Sequence, residues 1–368
     1  ALNVFNVPLV GYAGANDAQL ASSTSIRTQL GREGYLIERT GQYQFTGKDI
    51  NAIFVANPGQ GHSHATGETA KIINAFTAAN IARGIVDPDH IRFITYTTRY
   101  NRSHWVTVDG MQQQFDRASV DAERDAAKDS YTIKTSNVSR LLLTETAAAR
   151  KISIDGDSLS VRSAANLLLV RSGGHWQAAK PGADTGLRKQ HNLQGPINDA
   201  FFDAFLCVAP TGRPNNAVAD AQGKQELDRF AKAFARDYCG EARTKEDTAV
   251  TADDIANNNL VLFGDPGSNT LIGRIIGKLP VKWTKDSITI AGKTYSAADH
   301  VPVLIYPNPL NPRHYVVINS GLSAQGRGAA GLGDYAVLKV TSKDGQLAAE
   351  TAAEGVFDES WQLPAASL

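Results

Sequence analysis

The chain lacks net charge and long apolar runs, and both absences limit what it can bind. Of its 368 residues, 37 are basic and 37 are acidic, so the formal charges cancel. A field without a net sign gives no reason to expect a nucleic acid or an anionic membrane surface as partner. No stretch approaches the roughly 18 consecutive apolar residues that a membrane helix needs. We therefore expect a neutral partner and no membrane span.

Sulfur is also scarce, with two cysteines and one methionine. The methionine is Met111, so the chain begins at Ala1 without an initiator, and we expect a processed product or a fragment of a longer polypeptide. Its first residues, ALNVFNVPLV, lack the basic flank and cleavage site of a signal peptide. Cys207 and Cys239 could form a bridge in an oxidising compartment, or Cys207 could be a small buried hydrophobic residue. Their spacing leaves both interpretations open.

The length and the changing periodicity predict three domains. In residues 1–88 the apolar runs VPLVGYA and AIFVA are each followed by helical spacing, which is typical of an α/β sheet. Residues 89–180 contain short runs rich in β-branched and aromatic residues, which predict a small β-sandwich-like domain. The third predicted domain, residues 181–368, opens with most of the predicted linker KPGADTGLRKQHNLQGP and then returns to α/β alternation.

Within the third domain the pattern predicts one long helix. The alanine-rich C-terminal tail of the domain is expected to be loosely packed. NNLVLFGDPGSNTLIGRIIGK predicts a strand, a tight loop and a helix, and VPVLIYPNPLNPRHYVVINSG predicts two strands around a rigid turn. The long helix is expected to end at Gly240. Its predicted apolar face consists of Leu227, Phe230, Ala231, Phe234 and Tyr238.

Acidic and imidazole side chains follow the first two predicted strands of the chain. Asp17, in GANDAQ, comes after VPLVGYA, and His62, in PGQGHSH, comes after AIFVA. In α/β-hydrolases the triad acid and then the triad histidine lie on loops after successive late strands. The imidazole takes the proton of a serine hydroxyl, and the carboxylate fixes the imidazole tautomer. Order and setting therefore predict Asp17 as the triad acid and His62 as the triad base.

The third member of the triad is missing. A nucleophile elbow G-x-S-x-G should precede the acid, yet no serine occurs before Asp17 and the motif occurs nowhere downstream. Ser323, in GLSAQG, has the wrong spacing. Ser268, in GDPGSNTLIG, follows a predicted strand, and the amides of this loop could hold an anion, which is weak support for a site. We expect this chain to supply only the acid and the base.

Longer segments carry a resemblance to a known family. GPINDAF, LFGDPGSN and YPNPLNPRHYVVINSG, together with VPLVGYAGANDAQ and PGQGHSH, resemble the C-terminal half of bacterial prolyl oligopeptidase-like serine hydrolases with a long C-terminal extension. The resemblance spans nearly the whole chain. It implies the C-terminal half of an α/β-hydrolase sheet, then a small β-sandwich-like domain, then a second α/β domain. It also implies peptidase or esterase activity, export to the periplasm or beyond the cell, and the triad roles of Asp17 and His62.

The missing half of the family's catalytic domain implies a partner. We expect a precursor that is cut ahead of Ala1, with the serine-bearing N-terminal half remaining tightly bound as a second chain, because a divided sheet exposes strand edges and an apolar face. An orphan fragment is the other explanation. The substrate is expected to be a small molecule or a peptide. The alternative function is a non-catalytic binding or structural protein of the cell envelope or surface on a hydrolase scaffold.

A metal interpretation of the glycine-rich turn is the weaker one. His64 lies two residues after His62, but no recognisable spacing supplies a third ligand, and a zinc site normally needs three or four protein ligands. We expect neither a metal nor a cofactor.

Three further groups have both a structural and a functional interpretation. His104 with Trp105, and His175 with Trp176, are expected to be hydrogen-bonded residues of the sandwich, with carbohydrate stacking as the alternative. The residues of the GDPGSN loop could line a small-molecule site or cap the helix that follows. These loop residues are Asp265, Ser268 and Asn269.

Overall fold

The computed structural model describes residues 2–84, 87–125, 127, 129–146, 149–162, 164–179, 186–321, 332–343 and 346–364. The chain has mixed α/β content, with more strand than helix, and its strands form several sheets. It divides into two compact units, Ala1–Ala183 and Asp184–Leu368. Residues 180–185 of the predicted linker lie outside the described residues. Within the described part, no helix is long and apolar enough to cross a membrane.

The first unit begins with a four-stranded sheet of order β1-β4-β3-β2. Its first and fourth strands are parallel, and the other neighbours are antiparallel. The two predicted strands and both predicted helices are present. The hairpin of the second and third strands was not predicted, because its residues are polar and lie largely in solvent. The elements are β1 Leu9–Gly14, α1 Leu20–Arg32, β2 Ile37–Gly41, β3 Gln44–Gly47, β4 Ala52–Asn57 and α2 Gly67–Arg83.

The small core of this sheet lies mainly under β4, in which every residue is buried. Leu30 of α1, Tyr35 and Phe54 are its largest buried side chains, and the 3-10 turn Leu2–Asn6 packs beside them. The helix α2 contributes little, since Thr69 is its one buried residue. This part of the unit therefore leaves much of its apolar surface uncovered.

The rest of the first unit is a sandwich of two five-stranded sheets, ordered β14-β13-β10-β7-β6 and β12-β11-β9-β8-β5. Most neighbours are antiparallel, and β9 with β11 is the parallel exception. Alternate residues of most of these strands point into one shared core. The strands are β5 His90–Thr95, β6 Arg102–Ser103, β7 Val106–Met111, β8 Ala118–Asp125, β9 Ser130–Ser136, β10 Val138–Thr144, β11 Lys151–Ile154, β12 Asp157–Ser160, β13 Asn166–Ser172 and β14 His175–Ala179.

The two tryptophans of the sandwich belong to its core. Trp105 is buried and its indole N–H donates to the carbonyl oxygen of Pro88 at 2.7 Å. Trp176 is also buried, and its indole N–H donates to Asp155 at 2.9 Å. Neither ring is accessible to a sugar, so the stacking interpretation of these residues is wrong.

The second unit contains a seven-stranded sheet of order β16-β15-β17-β22-β21-β23-β24. Its first four strands are parallel and the remainder antiparallel. The predicted strand-loop-helix and the predicted hairpin are both present. The elements are β15 Phe205–Ala209, α3 Ala217–Tyr238, β16 Thr244–Glu246, α4 Ala252–Asn257, β17 Asn259–Leu262, α5 Thr270–Ile275, β18 Lys282–Trp283, β19 Ser287–Ile290, β20 Lys293–Ser296, β21 His300–Asn308, β22 Asn311–Ile318, β23 Tyr335–Lys343 and β24 Gln346–Gly355.

Two expectations for this unit are wrong in detail. The helix α3 ends at Tyr238, and its capping residue Cys239, rather than the adjacent Gly240, adopts the left-handed conformation, with φ 54°. The alanine-rich tail is not loose in its described part, because it forms β24 and then buries Phe357 and Trp361 in the core. The large apolar area of these two rings fixes the tail, whereas the small alanines gave no such signal.

A buried ion pair joins the start of the second unit to its sheet. The ammonium of Lys189 lies 2.6 Å from a carboxylate oxygen of Asp334, and both side chains are fully buried. Burial raises the pKa of the Asp334 carboxyl, and the ammonium of Lys189 opposes that shift. Since each charge depends on the other for solvation, removal of one partner is far more costly than removal of both.

We expect Lys189→Met to lower the free energy of unfolding of the second unit by about 3–5 kcal/mol, because it leaves Asp334 buried without its cation. The double variant Lys189→Met/Asp334→Leu should recover most of that loss. Urea denaturation monitored by tryptophan fluorescence measures both effects. The control Lys224→Met removes an exposed partner of Asp220 and should cost less than about 1 kcal/mol. Equal costs for the two single variants would contradict a buried, mutually dependent pair.

Candidate functional site

The structure brings Asp17 and His62 together at the carboxyl edge of the first sheet. The strands β1 and β4 run parallel in register from Leu9 opposite Ala52 to Gly14 opposite Asn57, so they end at the same level. Asp17 lies in the turn after β1 and His62 in the turn after β4. Parallel pairing therefore places two residues 45 positions apart in direct contact.

One hydrogen bond links the two side chains. Nδ1 of His62 lies 3.0 Å from Oδ2 of Asp17. The Asp17 side chain is only 10 % exposed, whereas the imidazole is 78 % exposed. Because Nδ1 faces the carboxylate, Nε2 is the ring nitrogen open to a group from outside. Within the described residues, no serine hydroxyl hydrogen-bonds to this imidazole.

The carboxylate of Asp17 is oriented by its own turn as well as by the histidine. Its Oδ1 accepts a hydrogen bond from the backbone N–H of Gln19 at 2.8 Å, which leaves Oδ2 for the imidazole. The Gln19 amide lowers the pKa of the Asp17 carboxyl, burial opposes this shift, and the contact with His62 lowers the pKa further. The group is therefore an ionised acceptor at neutral pH, as the orienting acid of an imidazole must be.

A close approach of backbone holds the two turns together. The N–H of Asn16 donates to the carbonyl oxygen of Gln60 at 2.9 Å. A Cβ atom at Gly14 would overlap the carbonyl oxygen of Gly61, so only glycine allows the turns to approach this closely. The hydroxyl of Tyr12 also donates to the carbonyl oxygen of Ser63, at 2.9 Å.

Residues that the sequence interpretation missed position the helix behind His62. The amide of Asn57, at the end of β4, donates to the hydroxyl of Thr66 at 3.0 Å and accepts from the hydroxyl of Thr69 at 3.1 Å. These bonds tie the first turn of α2 to the carboxyl end of β4. A threonine before a helical pattern signals a helix start, but nothing in the sequence indicates that Asn57 is its partner.

Contact between an aspartate and a histidine is not by itself distinctive in this chain. Nδ1 of His175 lies 3.0 Å from Asp157, and its imidazole is as exposed as that of His62. That pair, however, bridges two strands on the surface of the sandwich. What sets Asp17 and His62 apart is their position on turns after adjacent parallel strands, where α/β folds place their chemistry.

The GDPGSN loop of the second unit is bonded almost entirely to itself and to its neighbours. One carboxylate oxygen of Asp265 accepts from the N–H groups of Gly267 and Ser268, each at 2.8 Å, and the other accepts from the N–H of Asn216 at 2.7 Å. The side chain of Asn269 accepts from two amides of α5 and so caps that helix. Since these groups are buried and hydrogen-bonded, the capping interpretation fits the loop better than a ligand site.

The remaining candidates contribute nothing further to the site. His64 is exposed, and among the described residues no three His, Cys, Asp or Glu side chains are grouped as metal ligands. Ser323 lies outside the described residues. The two cysteines are free, Cys207 buried and Cys239 exposed, and burial raises the pKa of the Cys207 thiol to about 12.

We expect Gly14→Ala to separate the two turns and to break the hydrogen bond between Asp17 and His62, because its methyl group would overlap the backbone at Gly61. The imidazole nitrogen and proton resonances of His62 report the bond directly. Gly61→Ala is the matched control, since a Cβ there has no atom within 4 Å. Loss of the bond in both variants, or in neither, would show that the close approach does not hold the pair.

Comparisons of this chain with protein-family models, with curated proteins and with solved structures found no match.

Proposed function

We propose that this chain is the C-terminal part of an α/β-type serine hydrolase and that it supplies the acid and the base of the catalytic triad. The observation that carries the proposal is the hydrogen bond between Asp17 and His62 on the turns after two parallel strands. The nucleophilic serine and the oxyanion hole belong to a separate N-terminal polypeptide. The reaction is hydrolysis of an ester or peptide bond by acyl transfer to that serine.

The geometry of the pair defines the role of each residue in this proposal. Asp17 accepts a hydrogen bond from Nδ1–H, so the neutral imidazole presents the lone pair of Nε2 to the incoming serine hydroxyl. His62 takes the hydroxyl proton as the serine attacks and then delivers it to the leaving group. A water molecule, deprotonated by His62 in the same way, then attacks the acyl-enzyme and releases the acyl group. The ionised carboxylate stabilises the imidazolium that forms in each step.

The two edges of the first sheet differ in charge, and this difference supports a bound partner at the β1 edge. At one edge, β2 carries the exposed residues Glu38 and Arg39, and charged side chains discourage pairing with another strand. At the other edge, β1 has the uncharged sequence LVGYAG and is hydrogen-bonded only to β4 among the described strands. An edge without charges is suited to pairing with a further parallel strand.

An apolar groove lies beside the uncharged β1 edge. It has a volume of about 550 Å³, and its lining includes Val7, Pro8 and Val10 from the strand side and Phe76 and Ile81 from α2. Ile81 is 74 % exposed. A strand and helix of the serine-bearing polypeptide would cover this groove and place their own strand end beside His62. The partner of the proposal is therefore an α/β layer that continues the sheet from β1.

We expect His62→Ala, in the complex with the serine-bearing polypeptide, to lower ester hydrolysis and fluorophosphonate labelling of that polypeptide at least about 1,000-fold, because the serine loses its base. His175→Ala is the matched control, since it removes an equally exposed imidazole from an equally close aspartate. It should leave both readouts unchanged. Retained labelling in His62→Ala, or an equal loss in the control, would exclude the assigned base. A partner that never labels would favour the non-catalytic scaffold.

We expect Ile81→Asp to weaken association with the serine-bearing polypeptide at least about tenfold, because it buries a charge in the groove beside β1. Analytical ultracentrifugation of the co-expressed chains measures the association. The control Leu36→Asp alters a residue that is 57 % exposed just before β2, at the charged edge of the sheet, and should have no effect. Equal weakening by both variants would show that the partner does not dock beside β1.

A further inference from the structure

Three connections between the two sheets of the sandwich meet at one of its ends. They are the segment 96–101 between β5 and β6, the segment 112–117 between β7 and β8, and Asn137 between β9 and β10. In each case the chain leaves one sheet and enters the other. Loops gathered at one end of a β-sandwich are a common place for ligand binding, because the sheets hold them rigidly while their sequences vary.

These connections expose three aromatic side chains. Tyr96 is 53 % exposed, Tyr100 70 % and Phe115 37 %. The sandwich buries both of its tryptophans, so its core has room for large rings, and the exposure of these three needs another reason. A group of large exposed rings on one set of loops is more informative than the same residues scattered singly.

Hydrogen bonds fix the two aromatic loops to each other. The N–H of Phe115 donates to the carbonyl oxygen of Tyr96 at 2.8 Å. The N–H of Thr98 donates to the buried side chain of Gln114 at 3.2 Å, which anchors the short 3-10 turn that ends at Tyr100. The backbone of both aromatic loops is therefore fixed by hydrogen bonds before any ligand binds.

Asn137 holds the Phe115 loop from the third connection. Its Oδ1 accepts from the N–H of Gln113 at 2.9 Å, and its Nδ2 donates to the carbonyl oxygens of Gln113 and Asp116 at 2.9 and 3.2 Å. Three bonds from one side chain clamp the turn from both sides. The turn is therefore built into the sandwich.

Within this clamped turn Phe115 adopts a left-handed conformation, with φ 70°. A bulky residue is disfavoured there, whereas Gly or Asn adopts it with little strain. Strain that the surrounding bonds maintain at an exposed aromatic ring points to a function for the ring.

We propose that this end of the sandwich binds a neutral polysaccharide through Tyr96, Tyr100 and Phe115. Aromatic faces stack on the C–H faces of sugar rings, and the tyrosine hydroxyls can hydrogen-bond to sugar hydroxyls. Exposed amide side chains, Gln112 and Gln113, lie on the same turn as Phe115 and offer both donors and acceptors. This site is independent of the proposed hydrolase chemistry.

The size and charge of the surface favour a polysaccharide over a protein partner. A stable protein interface buries roughly 800 Å² on each side. A fully buried aromatic residue contributes about 150–250 Å², so three partly exposed rings supply well below that area. On the two aromatic loops the charged residues are Arg99, Asp116 and Arg117, and Arg117 is paired with Glu33 at 2.7 Å. With Glu33 included, two arginines face two carboxylates. The surface therefore has no excess charge that would select an anionic polymer.

Affinity electrophoresis of the full chain in native gels tests the site, with soluble arabinoxylan, mixed-linkage β-glucan and galactomannan as probes. We expect at least one probe to retard the protein. Tyr100→Ala should lower the association constant for that polysaccharide about tenfold, and Tyr96→Ala/Tyr100→Ala should abolish retardation. The control Tyr238→Ala removes a tyrosine that is 54 % exposed in the second unit and should behave as the unaltered chain.

Phe115→Asn separates binding from a structural role. Asn relieves the left-handed strain, so Tm should stay the same or rise, while retardation falls. A fall in both would mean that Phe115 serves the fold. No retardation by any of the three probes, or retardation that persists in the double variant, would overturn the proposal. So would a loss of retardation in the Tyr238 control equal to that in Tyr100→Ala.

Discussion

The parallel pairing of β1 with β4 is the constraint on which the candidate site depends. Their common register ends both strands at one level, and the turns that follow must then pass over the same edge of the sheet. Gly14 lets those turns touch, and the Gln19 amide directs one oxygen of Asp17 away from His62 and leaves the other for it. A shift of this register would separate the carboxylate from the imidazole even if every residue were unchanged.

The proposed complex accounts for an Asp–His pair on a chain without a recognisable nucleophile elbow, and the edges of the same sheet support it. Its β2 edge carries charged side chains that discourage further pairing, while its β1 edge is uncharged and lies beside an apolar groove. In the proposed complex the chain provides the base and its orienting acid, and the partner provides the serine. Each half then holds groups that are inert alone, because an imidazole without a hydroxyl and a hydroxyl without a base accomplish little.

Hydrogen-bond satisfaction distinguishes two loops of this protein that follow strands. Asp265 is buried, accepts from three backbone amides and has no capacity directed outward. His62 uses one nitrogen internally and leaves its ring exposed. Both residues lie on glycine-rich loops after strands, so their sequence patterns are alike. They differ in their hydrogen bonds: Asp265 is bonded within the fold, whereas Nε2 of His62 is open to a ligand.

The sequence by itself determined the strands VPLVGYA and AIFVA, the helices after them, the loop positions of Asp17 and His62, and the hairpin of β21 and β22, because apolar periodicity and glycine or proline punctuation are local signals. It did not reveal the hairpin of β2 and β3, whose residues are polar. Nor did it reveal the buried tail, which is anchored because Phe357 and Trp361 pack against the distant residue Tyr306. It predicted Trp105 and Trp176 as hydrogen-bonded residues of the sandwich and left sugar stacking as the alternative, and packing excludes that alternative by burying both rings. Only the tertiary structure decided which loops touch, which strand edge stays open and which aromatic rings reach solvent, because each of these depends on contacts between residues far apart in the chain.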